Sequence, residues 1–189
     1  DNYRGFNVFA QYPFSRFARF EVGVGMTRID RNFILDTFSQ NNRARERSEV
    51  AQATFGTANA SLVFDNVAYG FIGPLSGSRS RFSVQRAVND FEFTTFSADY
   101  RKYFQVSSRS TIAYRLLGLS SVGRDAQVYS IGGPYTFRGS QYSSMFGTNF
   151  VVQNIEYRFP LFPFAPAQYD MFSGILFADA AGAWGIDAP

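Results

Sequence analysis

The chain contains no histidine and no cysteine. Hydrolases built into barrels rely on a histidine general base, so that chemistry is closed to it. Two carboxylates, Glu156 and Asp179, could in principle act as an acid/base pair. A neighbouring guanidinium such as that of Arg138 would hold both ionised and suppress that role. No enzyme activity, catalytic residue, metal ligand or cofactor is therefore expected. What one arginine and two carboxylates can do together is grip. Arginine offers five donors in a planar fork and can bind carboxylates in bidentate geometry. Set between two carboxylates, it also relieves their mutual repulsion.

The elements that must position these groups read as β-strands. Period two dominates the chain. In 17–29, Ala18, Phe20, Val22, Val24 and Met26 share one face, opposite Arg19, Glu21, Gly23, Gly25 and Thr27. A helix would mix those sets, whereas a strand separates them. The same split recurs in 77–88, 93–104, 109–120 and 148–159, and more weakly in 5–12, 55–65 and 172–184. The result is about eight strands of roughly 8 to 13 residues, the length at which a tilted strand crosses a bilayer. By parity Glu156 lies with Asn154 and Arg158. Asp179 lies with Ser173, Ile175 and Phe177. Arg19, Glu21, Arg79, Arg81, Asp99, Arg101 and Arg115 join the same polar side. Connections near 12–16 and 106–109 are tight, and those at 66–76 and 161–171 are of medium length. Two long loops are expected on the opposite side, at 30–49 and 122–147, and the first of them is strongly polar. Short turns at one rim and long loops at the other are the pattern of outer-membrane barrels.

Composition agrees. Aromatic residues make up 19% of the chain, yet the mean hydropathy is −0.15. Rings must therefore alternate with polar residues, as in a wall with lipid on one side and water on the other. No apolar run is long enough for a transmembrane helix. No signal peptide opens the chain at Asp1-Asn2-Tyr3-Arg4, which implies a removed signal or a start inside a longer protein. Disulfides are dispensable where a hydrogen-bonded ladder closes on itself. The net charge of +3 is scattered, so nucleic acid is not an expected partner. The reading is an all-β, antiparallel transmembrane β-barrel forming one domain over residues 1–189. A soluble β-sandwich or lipocalin-like carrier is the competing architecture, and solubility without detergent would favour it.

One stretch carries a family resemblance. Ile131-Gly132-Gly133-Pro134-Tyr135-Thr136-Phe137-Arg138-Gly139 resembles the sixth extracellular loop of the outer-membrane assembly-factor superfamily, the bacterial surface antigen barrels of BamA/TamA type. The tetrad there is V-R-G-F/Y, whereas here it is Phe137-Arg138-Gly139-Ser140, with Tyr142 as a substitute for the ring. Asn154 to Leu161 resembles the strand that follows. Phe177-Ala178-Asp179-Ala180-Ala181-Gly182 resembles the next F-x-D-x-G strand, with its glycine displaced by one place. The resemblance implies that Arg138 locks the loop to Glu156 and Asp179 with Phe177 packed beside it. Alternatively, Arg138 is a solvated loop residue and Asp179 an ordinary lumenal charge.

The resemblance further implies a bacterial outer-membrane location and a sixteen-stranded barrel with periplasmic domains. The present strands would be the sixth to the thirteenth. An eight-stranded barrel could close by itself, but its lumen would leave little room for the 122–147 loop. The implied role is insertion or translocation of outer-membrane polypeptides. Its partners would be outer-membrane lipids, client polypeptides and accessory assembly proteins. The alternative is a passive pore whose arginine-lined lumen favours anions.

Overall fold

Strand after strand pairs with its predecessor in a single antiparallel ladder. A computed structural model describes residues 2–39, 42–70, 73–162 and 172–185, and the side chains of these outside 31–51. The strands are β1 (Asn2–Ser15), β2 (Ala18–Ser39), β3 (Asn42–Asp65), β4 (Ala68–Gly70), β5 (Gly73–Asn89), β6 (Phe93–Gln105), β7 (Thr111–Val122), β8 (Tyr129–Ile131), β9 (Met145–Gly147), β10 (Asn149–Pro160) and β11 (Ser173–Trp184). The main sheet runs β1-β2-β3-β5-β6-β7-β10-β11, with the short β4 folded against β5. Its edges are β1 and β11, so the eight long strands form an open wall, a sector of a barrel. The hairpin β8-β9 forms a separate two-stranded sheet.

The register turns period two into two surfaces. Phe20, Leu62, Phe82, Ala98, Gly118, Val151 and Gly182 lie opposite one another across seven consecutive strands. That row is apolar or small throughout and faces lipid. At the short-turn rim Tyr12, Phe14, Phe17, Phe64, Phe104, Phe162 and Phe172 are exposed, placed as an interfacial aromatic girdle. On the inward surface the corresponding row is Asp65, Arg79, Arg101, Arg115, Asn154 and Asp179. Every alternation read from the sequence falls on the expected side.

One expectation is corrected. The segment 30–49 is not a loop, because the β2–β3 ladder continues through it from Asp30↔Gln52 to Ser39↔Asn42. Beyond the bilayer both faces of a hairpin meet water, so a strand there has no need of an apolar face and its sequence does not alternate. The polar side chains of that segment fall within 31–51, outside the described side chains, and much of the 161–171 connection lies outside the described residues. The 122–147 segment is an excursion between β7 and β10 that contains β8 and β9.

The inward surface is also less uniformly polar than alternation alone suggests. Ile131, Phe150 and Val152 are buried together, with Leu117, Leu119, Tyr129, Met145, Ala181 and Ala183 packed around them. The apolar zone is where the β8-β9 hairpin lies against β7, β10 and β11.

The two surfaces predict opposite responses to charge. In the full-length protein refolded into lipid vesicles, Phe82→Arg should lower the unfolding free energy by about 2–4 kcal/mol. Lumenal Gln85→Arg should change it by less than about 1 kcal/mol. Equal effects would remove the lipid assignment of the Phe82 face.

Candidate functional site

Two strands and one loop converge on a single guanidinium. In the β10–β11 register Asn154 faces Asp179 and Glu156 faces Phe177. All four side chains therefore sit side by side on the inward surface. The loop between β8 and β9 brings Arg138 down to them.

Arg138 is held at three levels. Its Nε donates to Asp179 Oδ2 at 2.7 Å, and its Nη2 donates to Asp179 Oδ1 at 2.6 Å. Its Nη1 donates to Glu156 Oε1 at 2.6 Å. The backbone N–H of Arg138 also reaches Asp179 Oδ2, at 3.1 Å. Asp179 thus binds the loop's main chain as well as its side chain. The Phe177 ring lies under the guanidinium, 3.9 Å from its carbon, in cation–π geometry. The Asp179 side chain is only 2% exposed, and that of Arg138 is 21% exposed. Burying a carboxylate so completely is unfavourable unless it is paired and hydrogen-bonded. The Arg138 guanidinium is held protonated beyond its ordinary strength, chiefly by its hydrogen bonds to Asp179 and secondarily by Glu156.

Further contacts shape the loop. Asn154 Nδ2 donates to the Thr136 carbonyl at 3.0 Å. Thr136 Oγ1 accepts from the Gly132 N–H at 3.0 Å and donates to the Gly132 carbonyl at 3.1 Å. The loop is thereby closed on itself just before Arg138. Gly132 has φ +131°, and a Cβ there would collide with the Gln141 carbonyl. Gly139 has φ +84°, a left-handed conformation that a side chain would strain. Gly133 and Phe137 form an isolated β-bridge. Arg158 braces Glu156 from its other side, with Nε 2.8 Å and Nη2 2.6 Å from Oε2.

The structure therefore brings Arg138, Glu156, Asp179 and Phe177 into one cluster and places Gly132, Gly133, Phe137 and Gly139 in the turn that presents it. Tyr142, read as a replacement ring, is 80% exposed, and the ring against the guanidinium is that of Phe177. Sequence reading missed the strap from Asn154 to Thr136 and the brace from Arg158. Parity placed both residues inward, but nothing in the spacing of Asn154 names a loop partner, whereas Arg158 stands two residues from Glu156 on the same face of β10. It also missed the apolar seat under Ile131, although Phe150 and Val152 share the parity of Asn154.

A second tie holds the start of the excursion. The Glu92 N–H donates to Asp125 Oδ2 at 2.9 Å, and the Asp125 N–H donates to the Glu92 carbonyl at 3.0 Å. Arg124 Nε donates to the same carboxylate oxygen at 3.0 Å, and its Nη2 reaches the Asp90 carbonyl at 3.1 Å. The Glu92 N–H, with help from Arg124, holds the Asp125 carboxyl below the usual range.

Two predictions follow from these contacts. Removing Arg138 leaves Asp179 buried without its partner, and such a loss costs about 3–5 kcal/mol. Arg138→Ala and Asp179→Ala should each open 133–144 to limited proteolysis, and unchanged cleavage in both would dismiss the lock. The Asp125 tie belongs to the ionised carboxylate, so it is present at neutral pH and lost as pH falls through the lowered pKa. The Glu92 amide resonance should titrate with a midpoint below about 3.9; a midpoint above that value would contradict the tie.

Comparison with known proteins places this geometry. The model of the Omp85 superfamily domain matches residues 1–189. The crystal structure of BamA from Haemophilus ducreyi lacking POTRA domains 1–3 aligns with a TM-score of 0.77 at 18% sequence identity. The alignment covers 97% of this chain and 42% of that one, so the chain spans less than half the length of that protein. At this identity the likeness is one of fold. No curated protein sequence matches.

Proposed function

The chain belongs to the Omp85 superfamily and resides in the bacterial outer membrane, and on that premise we propose that it serves a barrel that inserts or translocates outer-membrane polypeptides. The reading needs no cofactor and no bond-making chemistry. Client strands would be met by backbone hydrogen bonds at an opened barrel seam, in the manner of strand addition to a sheet edge. Opening a seam strains the rest of the wall, so the remaining strands must be kept in register. One observation carries the proposal: Arg138 joins the loop at once to Glu156 on β10 and Asp179 on β11. A loop fixed to two adjacent strands, and seated on β7 and β10 through Ile131, braces that sector while another part of the barrel opens. Outer-membrane lipids, client polypeptides and accessory assembly proteins are the partners of this role.

A passive pore is the second reading. It is favoured by the arginines at 79, 101 and 115, which stand opposite one another on the inward surface and would select anions.

The test is assembly of a client barrel in vesicles containing the full-length protein and its accessory factors. Arg138→Ala removes the charge-assisted contacts to both carboxylates and should slow client assembly by at least about tenfold, equivalent to about 1.4 kcal/mol, while the barrel itself stays folded. Arg138→Lys should rescue only in part, because an ammonium cannot serve both carboxylates with a planar fork. Full assembly activity in Arg138→Ala, together with anion-selective conductance that ignores the substitution, would replace the brace with the pore.

A further inference from the structure

Beneath the loop tip, against the wall of β6, β7 and β10, lies a cavity of about 180 Å³. Arg101, Arg115, Arg138 and Arg158 line it, and among the described residues Glu156 is the one carboxylate on its surface. Asp99 and Asp179 stand behind that surface as ion-pair partners. Even with both included, four guanidinium groups meet three carboxylates.

The register makes the imbalance local. Arg101 lies opposite Arg79 on one side and opposite Arg115 on the other, and like charges facing each other across strands repel. Asp99 compensates two of them. It accepts from Arg101 at 3.1 and 2.8 Å and from Arg115 at 3.1 and 2.9 Å. Each of those arginines commits two hydrogen bonds to Asp99, out of the five donors a guanidinium carries. Across the cavity, Arg158 is committed to Glu156. Asn154 and Thr136 complete a polar lining. Guanidinium groups lining one partly open space with an excess of positive charge are complementary to an oxyanion. The wall strands separate this space from the bilayer, so the anion must come from the aqueous lumen and not from a lipid headgroup.

We propose that this cavity is a binding site for inorganic phosphate or a closely similar soluble oxyanion, held between Arg101 and Arg115 on one wall and Arg158 on the other. A bound dianion neutralises the arginine row and ties β6 and β7 to β10 directly below the loop tip. The site borders the loop contact, sharing Arg138 and Glu156 in its lining, but it takes the anion on Arg101, Arg115 and Arg158, and it stands whether or not the barrel assembles clients.

The experiment is titration of inorganic phosphate into the full-length protein in a phosphate-free, non-ionic detergent, with ionic strength held constant by chloride and binding read by calorimetry. Saturable binding at one site is expected. It should weaken about tenfold or more in Arg115→Gln and in Arg101→Gln, and be unchanged in Arg86→Gln, which alters an exposed arginine on the lipid-side parity. Either lumenal variant leaves Asp99 one arginine, and protection of the loop from protease serves as the folding control. Non-saturable uptake, or equal affinity in the wild type and both lumenal variants, overturns the site.

Discussion

The inward face of this wall depends on one constraint: a nearly inaccessible carboxylate on β11 must find its countercharge on a loop. Asp179 cannot be solvated where it stands, and its neighbour across the ladder is the uncharged Asn154. Arg138 supplies what the wall lacks through its side chain and its backbone N–H together. Other contacts in the cluster make that delivery possible. Thr136 closes the turn on Gly132, Asn154 holds the Thr136 carbonyl, and Arg158 occupies the far oxygen of Glu156. The Phe177 ring covers the guanidinium face. Because these groups share partners, their contributions are coupled and cannot be added one by one.

The loop has two kinds of anchor, with different physical sensitivities. Its tip is fixed by charge in a partly desolvated site, where salt screening is weak. Its flanks are fixed by apolar packing of Ile131 on Phe150 and Val152, a contact indifferent to charge. The rim tie at Asp125 is solvent-exposed and contributes little by itself, but it directs the chain as it leaves β7. These contacts join the loop to β10 and β11 at its tip and to the apolar seat on β7 and β10 at its flank without covalent links. The chain has no cysteine with which to make them.

Charge on the inward face is arranged in clusters rather than scattered. Glu21 lies between Arg19 and Arg81, each at 2.7 Å. Asp99 lies between Arg101 and Arg115. Arg19 and Arg101 reach their carboxylate along its own strand, Arg115 reaches from the adjacent strand, and Arg81 reaches Glu21 across the intervening β3. The repetition gives Glu21 and Asp99 two arginine partners each.

The sequence by itself determined which side of the wall each residue faces. Side chains alternate with a period of two, and a membrane wall has only two solvents. Phe20, Phe82 and Phe96 on one surface and Arg19, Asp99 and Glu156 on the other follow from that alone. The Arg-Gly turn and the two carboxylate strands were legible through their resemblance to the family's motifs, with parity adding only that Glu156 and Asp179 face inward. Where the wall ends was not legible: the ladder of 30–49 passes into water, and two equal solvents leave no alternating signature. Nor could parity say which inward residues meet. That Asn154 reaches Thr136, that Arg158 braces Glu156, that Phe177 and not Tyr142 covers Arg138, and that Ile131 sits on Val152 depend on strand register and on how a long loop folds back. Except for Arg158 and Glu156, which are neighbours on one face of β10, those contacts join residues far apart in the chain, and only the tertiary structure brings them within a few ångströms.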